Sequence, residues 1–201
     1  MDKVRLDEVE PLEEYARHRD GVRRRMMELR TRRRIALGDR ISLSFENRET
    51  VGYQIQEMCH AEGIRKPEAV GHEVETYNDL IPGEGELSAT LMIEITETER
   101  IKPELDRLLG LDLEGVVTMR VGAHTVPVAW EAGHSDERRI AAVQYVRFQL
   151  SEPARKALLA GAEVTFLVAH PNYQAMAHAG DDLKRELRAD LGAPDGGEPE
   201  A

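Results

Sequence analysis

The chain is poor in several residue types and patterns, and each shortage excludes something. It has one cysteine, Cys59, in 201 residues. No internal disulfide can form, and the simplest expected setting is a reducing cytoplasm. Aromatic residues are only 4% of the chain, so its core must be mainly aliphatic. No apolar run approaches the roughly 20 residues that cross a bilayer. The first residues, Met1-Asp2-Lys3-Val4-Arg5, carry charge where a signal peptide needs an apolar segment. The patterns Gly-x-Gly-x-x-Gly, Gly-x-Ser-x-Gly, Cys-x-x-Cys and His-Glu-x-x-His are missing, as is a Walker loop. Nucleotide-binding, serine-hydrolase and zinc-protease readings therefore have no support.

What is present is 41% hydrophobic residues, enough for a sizeable core in one domain. The net charge of −11 argues against general nucleic-acid binding, but it is unevenly spread. Residues 16–40 hold ten arginines against Asp20, Glu28 and Asp39. This Arg-rich helix, spanning 17–34, is either a solvated face that pairs with acids elsewhere in the chain or a docking surface for an anionic partner. No aromatics are interleaved as stacking platforms, which disfavours nucleic acid.

Periodicity divides the chain into a helical part, 11–82, and a strand-rich part, 86–178. Residues 1–10 read as polar and loosely held. A helix follows from Pro11 to about Arg34. Gly38-Asp39 turns into a first strand, Ile41 to Phe45. A second helix starts with Asn47 or Thr50 as its cap and ends at Gly63. A third runs from Lys66-Pro67 to about Leu80. Alternation then gives a strand from Leu87 to Ile95. A helix between Glu97 and Leu109 has to begin near Lys102 to accommodate Pro103. A hairpin over 116–130, a strand from Ala141 to Leu150, a helix from Ser151 to Leu159 and a strand over 164–168 follow. His170-Pro171-Asn172-Tyr173 breaks that strand, and a last helix covers 181–191. Residues 192–201 are rich in Gly, Pro and acid and are expected to be disordered. Residues 1–191 thus read as one α+β domain, with a mostly antiparallel sheet of about five to seven strands and the N-terminal helices packed on it.

The stretch Phe45 to His60 organises the rest. At 100° per residue, Val51, Ile55 and Met58 share one helix face, with Cys59 at its edge. Tyr53, Gln56, Glu57 and His60 cluster on the opposite face. Glu57 and His60 form a Glu-x-x-His pair. A di-iron site would need a second pair and further helical carboxylates. A second pair exists, Glu131-Ala132-Gly133-His134, but in a loop-like stretch, and the other carboxylates are not evident. No metal is therefore assigned, with Glu57 and His60 the candidates if one binds. His170, before a proline at a strand end, can point into a cleft. No particular cofactor is indicated.

A resemblance covers nearly the whole chain to about residue 191. It is carried by Arg33-Arg34-Ile35-Ala36-Leu37-Gly38-Asp39, by Phe45-Glu46-Asn47-Arg48-Glu49-Thr50 with Gln54-Ile55-Gln56-Glu57-Met58, by Tyr77-Asn78-Asp79-Leu80-Ile81-Pro82, by Leu87-Ser88-Ala89-Thr90-Leu91 and by His170-Pro171-Asn172-Tyr173. Together these blocks resemble the bacterial DUF3501 family. That family has no established function. Its members resemble one another in lying beside genes for rubrerythrin-like di-iron proteins and iron–sulfur oxidoreductases. The resemblance implies peroxide or redox defence as the setting. The leading expectation is a cytoplasmic accessory or binding protein with a redox partner, whose recognition surface carries Arg48, Gln54, Gln56, Glu57, Tyr77 and Asn78. The alternative is an enzyme, metal-dependent or not, whose pocket joins Glu57, its pKa raised by burial, to His170 and Tyr173.

Overall fold

The computed structural model describes residues 1–131 and 139–192, and Ser135 and Asp136 by their backbone alone. The expected acidic tail beyond residue 192 lies outside them, as do Ala132 to His134 of the second Glu-x-x-His.

After a short 3₁₀ turn at Leu6–Glu8, α1 runs Leu12–Arg32. Glu13 and Glu14 in its first turn and Arg30 and Arg32 in its last complement the helix dipole. It buries Leu12, Tyr15, Met26 and Leu29. The helix stops two residues short of the expected end, because Arg34–Leu37 is a strand, β1. Ile35 and Leu37 turn inward and Arg34 and Ala36 outward, a two-residue period that the arginine run obscures.

A tight turn at Gly38 (φ +75°) joins β1 to β2, Ile41–Glu46. Next comes α2, Arg48–Glu62, held at its start by a reciprocal cap. The Thr50 N–H donates to Asn47 Oδ1 at 2.9 Å, and the Asn47 N–H donates to Thr50 Oγ1 at 2.9 Å. Both residues named as alternative caps therefore take part. Gly63, at φ +65°, ends the helix.

Helix α3 is Pro67–Asn78, and β3 is Glu86–Ile93. A 3₁₀ turn at Thr98–Arg100 leads into α4, Ile101–Arg107, so Pro103 falls in its first turn, where no N–H is needed. The strands β4, Val117–Val121, and β5, His124–Pro127, form the expected hairpin, but a shorter one. Ala129–Trp130, β6, leaves it to pair with another strand. A small ribbon, β7 (Ser135–Asp136) and β8 (Arg139–Ile140), precedes β9, Val143–Gln149. Helix α5, Glu152–Leu159, and β10, Val164–His170, lead to a second strand that periodicity did not reveal, β11, Tyr173–His178. His170-Pro171-Asn172-Tyr173 is thus a hairpin turn between β10 and β11. Helix α6, Asp181–Asp190, closes the described chain.

The class is α+β, with the strands divided between two antiparallel sheets. One has the order β1-β2-β3-β9-β6 and the other β11-β10-β4-β5. Their facing sides form the main core. Phe45 and Phe148 from the first sheet meet Phe166 from the second, with ring centroids 5.5 to 5.9 Å apart. Leu158 of α5 and Leu187 of α6 complete that core. Each such side chain contributes roughly 1.5–3 kcal/mol by leaving water.

A second apolar cluster joins α1, α2 and α3 through Leu12, Val51, Ile55, Cys59 and Val74. This helical layer lies over the outer face of the five-stranded sheet. Strand alternation gives that outer face Ser44 and Glu46 on β2, Thr90 and Met92 on β3, and Val143 and Tyr145 on β9, a mixed and partly polar surface. A cleft remains between the helix layer and this face. No helix among the described residues is long and apolar enough to cross a membrane.

Candidate functional site

The cleft measures about 460 Å³ and is bounded by α1, α2, the end of α3 and the outer face of β1, β2, β3 and β9. Its size suits a small molecule. Met27 and Arg30 enter it from α1, Gln54 from α2, Tyr77 from α3, and Glu46, Thr90 and Tyr145 from the sheet. Glu46 is fixed by two hydroxyls. Thr90 Oγ1 donates to Oε1 at 2.8 Å and Thr50 Oγ1 to Oε2 at 2.6 Å. Arg30 donates to Gln54 Oε1 at 3.1 Å, and its guanidinium carbon sits 5.5 Å from the centre of the Tyr53 ring. The Tyr145 phenol is pushed above its ordinary pKa by burial first, then by Tyr77 and Glu46.

Of the residues named from sequence, Gln54 and Tyr77 reach this cleft. Three others hold the protein's own N-terminal segment. The Gln56 side chain, buried rather than exposed, accepts from the Glu10 N–H at 2.8 Å and donates to the Glu10 carbonyl at 3.0 Å. Asn78 does the same to Val4, at 2.8 Å in both directions. Arg48 donates to the Glu8 carboxylate. Residues 4–10 are therefore pinned by side-chain amides that imitate a strand partner, not loosely held. This also corrects the reading of α2: Gln56 and Cys59 are buried with Val51 and Ile55, and Met58 is only half-buried.

The proposed enzyme pocket does not assemble. Glu57 accepts from Tyr15 at 2.6 Å and from Arg19 at 2.8 and 2.7 Å. Arg19 holds its pKa below the usual carboxylate range, overriding burial. The expectation of a raised value is overturned, because a bidentate guanidinium outweighs partial desolvation. His170 serves the β10–β11 turn. Its Nε2 lies 2.9 Å from the Leu109 carbonyl, and its Nδ1 accepts from the Asn172 N–H at 3.2 Å. Tyr173 donates to the Leu37 carbonyl at 2.5 Å and accepts from the Arg40 N–H at 3.1 Å. Glu57, His170 and Tyr173 share no partner.

His60 lies against the Tyr15 ring, centroids 5.8 Å apart. Among the described residues, no three His, Cys, Asp or Glu side chains come together as metal ligands. Burial makes the Cys59 thiol harder to ionise, the opposite of what a nucleophile needs.

Three of the seven arginines of α1 (19, 25 and 32) have an acidic partner within the fold, and so does Arg33 just beyond it. Arg19 meets Glu57, Arg32 meets Glu186, and buried Arg33 meets Glu186 and Asp190. Arg17, Arg23 and Arg24 are exposed, as are Asp20 and Glu28.

Sequence reasoning missed Glu46 and Tyr145. The signal was available: Ser42, Ser44 and Glu46 alternate along β2, which marks a polar sheet face.

The sequence profile of a family described as "Protein of unknown function (DUF3501)" matches residues 3–191. A crystal structure of a protein of unknown function from Burkholderia pseudomallei is similar, with 29% identity and a TM-score of 0.88. The match covers 94% of this chain and 100% of that one. No curated protein matches.

Proposed function

The chain belongs to the DUF3501 family, and from that premise we propose that it is an accessory binding protein that carries or senses a small molecule in its helix–sheet cleft. The observation that supports this most is the cleft itself, about 460 Å³ of space. Its polar groups Arg30, Glu46, Gln54, Tyr77, Thr90 and Tyr145 come from six different elements, and they converge without a nucleophile–base pair.

The partner class follows the family setting: a rubrerythrin-like or iron–sulfur redox protein in peroxide defence. The cytoplasm is the compartment we assign, consistent with one free, buried cysteine. Recognition then rests on Gln54, Tyr77, Arg30 and Glu46, while Arg48, Gln56 and Asn78 shape the protein that carries them.

Native mass spectrometry of protein purified from its own host tests the reading. The expected result is a bound small molecule that is absent from a cleft-filling Ser44→Phe variant. Protein that arrives at its bare polypeptide mass under gentle ionisation would contradict it. For the partner, affinity capture at low and moderate salt should retain a co-encoded redox protein, and its absence at both salts would remove that part.

A further inference from the structure

Glu46 and Arg30 line the same cleft. Among the described residues, neither side chain takes part in an ion pair, whereas the other charged residues lining the cleft, Arg33 and Arg34, do. Arg33 reaches Glu46 only at its backbone carbonyl, to which it donates at 3.2 Å. The Arg33 charge is matched by Asp190 and Glu186. Arg34, also at the cleft, is paired with Glu94. What Glu46 has instead is two threonine hydroxyls, which orient a carboxylate without neutralising it. What Arg30 has is an amide oxygen and a tyrosine face.

An uncompensated carboxylate in a half-enclosed site is costly, and so is an uncompensated guanidinium. These two sit in one cleft without pairing with each other. Tyr77 and Tyr145 line the cleft with Glu46, and tyrosines beside a carboxylate are surroundings that favour an organic ammonium ion. Guanidinium and amide donors are those that favour a carboxylate.

We propose, on the basis of the binding reading above, that the ligand is a small zwitterion: an amine whose cationic end meets Glu46, Tyr77 and Tyr145 and whose acidic end meets Arg30 and Gln54. Such a molecule satisfies both charges at once, and the complex stays as neutral as the empty cleft. A simple anion leaves Glu46 unmet and adds repulsion. A simple cation leaves Arg30 unmet.

The test uses the full chain and three probes at constant ionic strength: butylammonium, butyrate and 4-aminobutyrate. Binding is followed by the methyl resonances of Met27 and Met92, which line the cleft. Butylammonium and 4-aminobutyrate are expected to saturate, the zwitterion more tightly, and butyrate not to bind. Glu46→Gln is expected to weaken both amines roughly tenfold, the worth of one charge-assisted contact. Arg30→Gln is expected to erase the advantage of 4-aminobutyrate over butylammonium and leave butylammonium unchanged.

If butyrate binds while the amines do not, the zwitterion proposal fails and the binding reading stands. Equal affinity for wild type and Glu46→Gln would overturn the proposal too. If no probe moves either methyl while host-purified protein still carries a ligand, the chemical class is wrong. If the host-purified protein is also empty, both readings fall.

Discussion

Arg33 and Asp190 form a buried ion pair across 157 residues of sequence. The guanidinium is 1% exposed and the carboxylate 4%. Arg33 also donates to the carbonyls of Phe45 and Glu46, at 2.9 and 3.2 Å. One side chain thus ties the end of α1, the end of β2 and α6 together at the wall of the cleft. Removing Asp190 leaves buried Arg33 with only Glu186, which it shares with Arg32, and a buried charge stripped of its closest counterion costs about 3–5 kcal/mol. Asp190→Ala is expected to lower unfolding free energy by that amount in urea titration. The double change Arg33→Met, Asp190→Leu is expected to recover most of it. A loss below about 1 kcal/mol, the level of a surface pair, would show the pair to be solvated.

Tyr173 closes the β1–β2 turn over Gly38. A Cβ at Gly38 would meet the Tyr173 hydroxyl, and the backbone there is left-handed, φ +75°. Gly38→Ala therefore combines a clash with about 1–2 kcal/mol of left-handed strain. Tyr173→Phe removes the bonds to Leu37 and Arg40 and is expected to cost about 1 kcal/mol. Thermal unfolding should show both losses. Neither residue lines the cleft, so ligand content should not change.

Glu57 makes acid stability a readout of the α1–α2 contact. Its folded pKa lies below the ordinary value of 4.5, chiefly because of Arg19. A depressed carboxylate contributes stability that is complete above its unfolded pKa. That contribution is lost as pH falls through the lower folded value. The difference in stability between wild type and Glu57→Gln should therefore be constant from neutral pH down to about 5 and shrink below about 4.5. A difference that grows on acidification would contradict the Arg19 pairing.

Gln56 holds residues 4–10 in place. Gln56→Leu leaves the N–H and carbonyl of Glu10 unpaired, at about 1–3 kcal/mol. Amide exchange at Glu10 should accelerate in the variant while the core strands β3 and β9 keep their protection. Unchanged exchange at Glu10 would show that Arg48 and Asn78 alone suffice.

These residues also explain what the sequence made legible. Both ends of α2 were readable because Asn47, Thr50 and Gly63 act locally, through caps and a left-handed stop. The strand β1 was hidden because three successive arginines precede Ile35, and their charge masks a short alternation. In β11, small and polar residues alternate with too little hydrophobic contrast to register. The division into two sheets was not readable, since it rests on pairings such as β3 with β9, far apart in the chain. The helix wheel placed Gln56 in solvent because a wheel does not know that an N-terminal strap will lie along it. Gln54 and Tyr77 were found as candidates. Glu46 was not, because its importance depends on a charge being absent nearby, and only the folded chain shows that.

The most direct test of cleft occupancy compares one protein with itself. Chain labelled at its methionine methyls is purified from its own host, and half is unfolded, dialysed and refolded. The account predicts that the Met27 and Met92 signals differ between the two samples while the buried core signals of Met26 and Met119 coincide. Identical spectra at all four positions would contradict a resident small-molecule ligand.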